Sequence, residues 1–401
     1  MVADKERNTC TGCTACVNVC PKSCISMKPD SQGFLYPYIE KELCIGCGAC
    51  DRICEEASKK AESAEVCKGF GAIAKDKELQ LCSSSGGVFT LLSNEVLSNG
   101  GAVAGVAFSE DNRTAFHKLA YSEEDVTQLR GAKYLQSNVG EIFHQVRELL
   151  KEGKEVLFSG TPCQVDGLKA FIGSHDDKLL CVDLVCHGAP SPLAWRKYCD
   201  EIEKNYQGPI SSVNFRYKKF SWEKAHVEGA NRGKVVFRSK NEDPFMRLFL
   251  SDYTLRPSCY ECPHKGVDRK SDFTIADFWG VDAIAPGFSN GAGVSLVVIH
   301  TEKGLHCFEK IRDYLMIQEV DPQLSYTNNG AALRSAQRPE RLDAFWLESE
   351  SKSIEQLADK YAPVNETFKS KIKKSTIYGL MKKNKKVNME NGICFAINNH
   401  V

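Results

Sequence analysis

Two copies of one cysteine spacing near the N-terminus constrain this chain more than any other feature. Cys10, Cys13, Cys16 and Cys20 form C-x2-C-x2-C-x3-C, with Pro21 next. Cys44, Cys47, Cys50 and Cys54 repeat that spacing, each 34 residues after its counterpart. Three thiols inside one short loop suit an iron–sulfur cube, which needs soft, deprotonated sulfur ligands. Gly12, Ala15, Gly46, Gly48 and Ala49 are small and let backbone amides approach cluster sulfur. Zinc more often takes two CxxC pairs separated by a longer loop. Disulfides belong to oxidising compartments. The polar start MVADKERNTC gives no sign of an export signal. The 19 cysteines are therefore expected to serve as thiols or thiolates in a cytoplasmic protein.

The run resembles the bacterial two-cluster ferredoxins, in which the fourth cysteine of each motif serves the other cluster. The resemblance implies one [4Fe–4S] cluster on Cys10, Cys13, Cys16 and Cys54, and another on Cys44, Cys47, Cys50 and Cys20. Glu55 stands where the second motif would carry proline, a turn residue and not a ligand. Cys24 and Cys67 fall outside the pattern and read as packing residues or spare thiols.

A length of 401 residues suits two or three domains at about 150 residues each. With 52 basic and 52 acidic residues, global attraction to nucleic acid is not expected. No apolar run is long enough to span a membrane. Residues 58–80 are charged and weakly patterned and read as a surface linker. Beyond them helix and strand signals alternate. SSSGG (83–87) opens a helix to about Leu97, and AVAGVAF (102–108) is a buried strand. Residues 139–150 carry an apolar stripe at helical spacing. Residues 155–160 and 178–186 are strands, 166–172 a helix, and 191–206 a helix capped by Ser191. Residues 211–238 read as a hairpin, and 272–280 and 293–300 as later strands. The expected fold is an α+β ferredoxin-like dicluster domain (1–57), then an α/β domain with a mixed sheet (81–320). Residues 321–401 read as a helical extension. Its stretch 367–389 holds eight Lys and no acid, suited to a frayed helix or to a weak surface contact.

Four further cysteines lie in loop-like contexts: Cys163 in SGTPCQ, Cys186 in VCHGAPSP, and the pair Cys259 and Cys262 in CYECP. Loops after strand ends gather on one edge of an α/β sheet. Four sulfurs from three segments could therefore form a third [4Fe–4S] site, a structural zinc site, or simply unrelated buried thiols. His187 could donate to cluster sulfur, relay a proton, or serve only as a loop hydrogen-bonding residue.

SSSGGVFTLL (83–92), GAKYLQS (131–137), GTPCQVDGLK (160–169), VCHGAPSP (185–192), CYECPHKGVDRKSDFTIADFWG (259–280) and GVSLVV (293–298) together resemble the coenzyme F-420 hydrogenase/dehydrogenase beta subunit family. The resemblance covers roughly residues 80–320 and implies FAD and a [4Fe–4S] cluster in this domain. On that reading Ser84, Ser85, Gly86, Gly87 and Thr90 meet the flavin pyrophosphate at a helix start. Lys133, Tyr134, Gln136 and Ser137 would contact flavin or phosphate. Without a ligand, the same residues are an ordinary capped helix and a turn with a surface lysine. Asp277, Phe278 and Trp279 either wall the pocket or pack the core.

A flavin links hydride transfer to one-electron transfer. The resemblance thus implies an oxidoreductase that passes electrons between a hydride donor or acceptor and a ferredoxin-type partner or complex subunit. The donor would be a deazaflavin such as coenzyme F-420, or another organic substrate. The alternative is an electron-relay subunit without its own substrate. A zinc-bearing nucleic-acid binder is the remaining reading, and the charge balance counts against it. No Ser–His–Asp or paired-carboxylate arrangement suggests a hydrolase.

Overall fold

The computed structural model describes residues 2, 6–62, 64, 66–173, 177–218, 226–231 and 234–364. The lysine-rich stretch 367–389 lies outside the described residues. The strands, in chain order, are β1 (Ile25–Pro29), β2 (Leu35–Ile39), β3 (Lys68–Ala74), β4 (Ala102–Phe108), β5 (Ala115–Ala120), β6 (Val156–Gly160) and β7 (Leu179–Leu184), followed by β8 (Ser212–Tyr217), β9 (His226–Asn231), β10 (Lys234–Ser239), β11 (Phe273–Asp277), β12 (Ser295–Ile299) and β13 (Leu315–Val320).

The N-terminal module is small. β1 and β2 pair antiparallel, and each cysteine motif runs into a short helix, Ala15–Val19 or Ala49–Ser58. Thr14 and Gly48, at the starts of these helices, take left-handed backbone conformations that tighten the cysteine loops.

The body is built on an eight-stranded mixed sheet in the order β13-β3-β12-β11-β7-β6-β4-β5. β4, β6, β7 and β11 are parallel, and the strands at both ends run antiparallel to their neighbours. Continuous apolar runs explain the centre: Val156, Leu157 and Phe158 of β6 and Val182 of β7 are fully buried, as strands covered on both faces require. The helix Ile142–Lys151 buries Ile142, Phe143, Val146, Leu149 and Leu150 along one stripe. The helix Pro192–Tyr206 starts on the Ser191 cap with proline in its first turn. Its Trp195 is fully buried among Tyr198, Phe215 and Phe245, and its indole N–H donates to the Asn112 carbonyl at 2.8 Å. β8, β9 and β10 form a separate three-stranded antiparallel sheet.

One expectation is corrected and two are refined. Residues 58–80 are not a surface linker, because β3 runs through them, buried between β12 and β13. Its apolar run is short, holds two glycines and sits between charged flanks, so its pattern is faint. The helix that SSSGG leads into starts only after its last residue. That helix is Val88–Ser98, and Gly87 caps it with φ 98°, so the serines form the preceding loop. The described part of 321–401, read as a helical extension, packs into the body. Phe345, Ile354, Leu357 and Tyr361 share a core with Trp195 and Phe249, and buried Arg247 donates to the Ala358 and Ala362 carbonyls at 2.7 and 2.8 Å.

The module seats directly on the body. The helices Ala15–Val19 and Ala49–Ser58 pack against Pro162–Ile172. Asn18 donates to the Gly140 carbonyl at 3.1 Å, and Ser191 to that of Gln32 at 2.5 Å.

Candidate functional site

The sulfurs fall into three sets. Cys10, Cys13, Cys16 and Cys54 line one small cavity, so Cys54 of the second motif stands with the first. Burial pushes the Cys13 thiol up to about 11, and Cys10 and Cys54 add like-charge repulsion. Cys20, Cys44, Cys47 and Cys50 line a second cavity, together with Cys24. The Cys24 sulfur lies 3.4 Å from that of Cys20, so this residue, read as a packing residue or spare thiol, is buried in the surroundings of the second set.

Cys163, Cys186, Cys259 and Cys262 form the third set, on the wall of a large cavity. Thr161 caps the helix Pro162–Ile172 in a capping box with Gln164, and this places Cys163 in the first turn. The Thr161 hydroxyl lies 3.2 Å from the Cys163 sulfur. Cys186 follows β7, and Cys259 lies in the 3-10 turn Pro257–Glu261. The Ala189 N–H donates to the Cys259 sulfur at 3.3 Å. Burial drives the Cys163 thiol well above its ordinary range, with Cys186, Cys262 and Cys13 adding repulsion. Burial likewise pushes Cys259 up to about 12. Such thiols stay protonated until a cationic metal core draws the proton off. Among the described residues no three His, Cys, Asp or Glu side chains are disposed to hold a single metal ion. An iron–sulfur cube, which takes one protein ligand on each of its four irons, needs a wider set.

The first and third sets are neighbours. Cys163 and His264 line both their cavities. Gly167 of the intervening helix faces Cys13 so closely that an added Cβ would lie 3.1 Å from its sulfur. His264 is buried and pairs with Asp166 at 2.5 Å.

The large cavity, about 580 Å³, opens at the C-terminal ends of β6, β7 and β11, where ligands collect in open α/β sheets. The expected flavin residues distribute unevenly around it. Ser84, Ser85, Gly87, Thr90, Lys133, Tyr134, Gln136 and Ser137 line it, and Gly86 does not. Gly86 is instead packed between β3 and β12, its N–H donating to the Ser295 hydroxyl at 2.8 Å. Thr90 is buried, and its hydroxyl has no partner among the described residues. Lys133 donates to the Leu129 and Arg130 carbonyls at 2.9 and 2.8 Å, closing the helix Glu123–Leu129. Gln136 turns toward the module and donates to the Thr11 carbonyl at 3.1 Å. Ser137 accepts from Gln164 at 3.0 Å. Tyr134 packs edge-on to Phe215, with centroids 5.2 Å apart. Asp277 and Trp279 line the cavity, whereas Phe278 is core. His187 pairs with Asp252 at 2.6 Å, a loop hydrogen bond.

Several residues have no sequence signal of their own. Arg216 on β8 pairs with Asp277 at 2.5 Å, and both Arg216 and Lys240 stack on Trp279, at 5.3 and 4.8 Å from its ring centre. Arg130, Lys133, Arg216, Lys240, Lys265 and Arg269 line the cavity, against Asp277 as the one carboxylate among the described lining residues. The site therefore favours an anionic ligand. Arg256, three residues before Cys259, spans from the body to Cys10.

Residues 153–323 match the family described as the C terminus of the beta subunit of coenzyme F420 hydrogenase/dehydrogenase. Residues 9–57 match the 4Fe-4S dicluster domain. No curated protein matches the chain. Among solved structures, one chain from the xenon-derivatised F420-reducing [NiFe] hydrogenase complex of Methanosarcina barkeri is similar at 18% identity, with a TM-score of 0.43, covering 80% of this chain and 94% of that one. The chain thus joins a region similar to the C terminus of the coenzyme F420 hydrogenase/dehydrogenase beta subunit, over residues 153–323, to a preceding region that matches a 4Fe-4S dicluster domain, over residues 9–57.

Proposed function

We propose that this protein is an iron–sulfur oxidoreductase that exchanges electrons between a hydride donor or acceptor in its large cavity and a redox partner protein. The observation that carries this reading is the adjoining of three sulfur sets and one cation-lined cavity. Cys163, Cys186, Cys259 and Cys262 share that cavity with the start of the helix Val88–Ser98, and the Cys10, Cys13, Cys16 and Cys54 set lies just behind Cys163. The three sets would hold three [4Fe–4S] clusters, with Cys20, Cys44, Cys47 and Cys50 as the outermost.

The cavity fits FAD on three counts. Its volume lies in the range of small-molecule sites. The helix Val88–Ser98 has no side-chain cap, which leaves its first N–H groups open to phosphate. The unpartnered Thr90 hydroxyl lies at that same end. Bound there, FAD would supply the exchange between hydride and single-electron chemistry. Ser84, Ser85 and Thr90 would hold the pyrophosphate, and Lys265 and Arg269 would balance negative charge. Tyr134 and Trp279 would bound the aromatic part and exclude water. The surplus of cations favours an anionic hydride carrier, which includes a phosphorylated deazaflavin such as coenzyme F420.

The test is stoichiometry on one anaerobic sample. About twelve irons with matching sulfide and one flavin per chain are expected, with bleaching of the flavin by an anionic hydride donor. Iron without flavin would leave a relay subunit, and zinc in place of iron would overturn the reading.

A further inference from the structure

Arg256 is fully buried, yet among the described residues no carboxylate pairs with it. Its Nε donates to the Cys10 carbonyl at 2.7 Å. Nη1 donates to Gln136 Oε1 at 3.0 Å. Nη2 reaches the Leu35 carbonyl at 3.0 Å and the Cys10 sulfur at 3.5 Å. The guanidinium lies over the Tyr36 ring, 4.2 Å from its centre. Gly12 makes the room, because a Cβ there would sit 2.8 Å from Nη1 and 2.7 Å from Gln136 Nε2.

Neutral acceptors alone do not compensate a cation withdrawn from water, so buried charges are paired. The group in reach here is the Cys10 sulfur. On the reading above, Cys10 belongs to a cluster whose four thiolates outweigh the positive charge of its core, which makes it the anion this cation lacks. We infer that Arg256 is the counter-ion of the centre held by Cys10, Cys13, Cys16 and Cys54, and raises its reduction potential above that of the outer N-terminal centre. Reduction adds negative charge, which a fixed buried cation favours, and an N–H donated to ligand sulfur acts in the same direction. Arg256 is thus a positioning and tuning residue. It also begins the turn that carries Cys259, whose N–H bonds to the Arg256 carbonyl at 2.9 Å. One residue therefore touches the sulfur sets on both sides of the junction.

The inference rests on the iron–sulfur reading, and the experiment separates the two. The full chain is prepared without oxygen and titrated electrochemically, with the N-terminal centres followed by paramagnetic resonance. In Arg256→Gln one centre shifts down and the other stays. At the wild-type midpoint its reduced-to-oxidised ratio falls about tenfold, or about 59 mV for one electron. Arg256→Lys, which keeps the charge, restores most of the shift. Gln136→Glu places a carboxylate on Nη1 with Arg256 in place and lowers the same centre, so it decides the matter even if Arg256→Gln fails to fold. Both potentials unchanged in variants that keep their iron would overturn the assignment, and Arg256 would then be purely structural, lowering the melting temperature alone. Wild-type protein without iron would overturn the iron–sulfur reading itself.

Discussion

Gly86→Ala tests whether the SSSGG loop is seated by the sheet and, through it, shapes the cavity. A Cβ at Gly86 would collide with the Ala72 carbonyl oxygen of β3 and lie 2.8 Å from the Ser295 nitrogen of β12. Both obstacles are backbone of interior strands, so the loop must move. Three hydrogen bonds hold it in place. Gly86 N–H donates to the Ser295 hydroxyl at 2.8 Å, the Ala74 N–H to the Gly86 carbonyl at 2.7 Å, and the Ser85 hydroxyl to the Val294 carbonyl at 2.6 Å. At ~1 kcal/mol net for each bond, displacement costs ~3 kcal/mol, and more where buried groups stay unsatisfied. Gly330→Ala is the control. It also lines the cavity, but nothing lies within 4 Å of an added Cβ and no left-handed backbone is required, so its cost stays within ~0.5 kcal/mol. The assay is the urea midpoint together with the flavin-to-protein ratio after gel filtration. Gly86→Ala should unfold at clearly lower urea and lose flavin, while Gly330→Ala matches the wild type. A Gly86→Ala protein that matches the wild type in both would refute the reasoning.

Two other outcomes are expected. Burial lowers His117 from 6.5 to about 4, so between those values the unfolded chain binds a proton that the folded one refuses. Its contribution is whole above pH 6.5 and is lost as pH falls toward 4, up to ~3 kcal/mol, so His117→Asn should have a visibly flatter acid limb in urea midpoints between pH 7.5 and 5. Removing the ring that Arg216 and Lys240 share, in Trp279→Ala, should raise KM for an anionic hydride donor by up to about thirtyfold, given ~1 kcal/mol for each of the two stacked cations. Dithionite should still reduce the iron centres of that variant at the wild-type rate, and equal KM values would remove Trp279 from the site.

What could be read from residue order was whatever depends on local spacing. The doubled cysteine motif, the Ser191 cap before Pro192 and the apolar runs of β4, β6 and β7 are visible because each needs only its neighbours. β3 was hidden because its six-residue apolar run acquires meaning only beside β12 and β13. The helices Leu342–Glu348 and Ile354–Tyr361 read as an extension because their partners, Arg247 and Phe249, lie about a hundred residues away. Gln136 and Arg256 are hardest to read, since their partners are Thr11 and Cys10 in the other module. Charge lining has the same origin. Arg216 and Lys240 reach the cavity from the three-stranded sheet and its edge, and no spacing in the chain marks them.

The most direct test of the central claim is an iron count on Cys163→Ser, prepared without oxygen beside the wild type. If Cys163, Cys186, Cys259 and Cys262 hold a cluster of their own, the variant loses about four irons per chain while both N-terminal centres keep their paramagnetic signals. An unchanged iron content in folded Cys163→Ser protein would contradict the account.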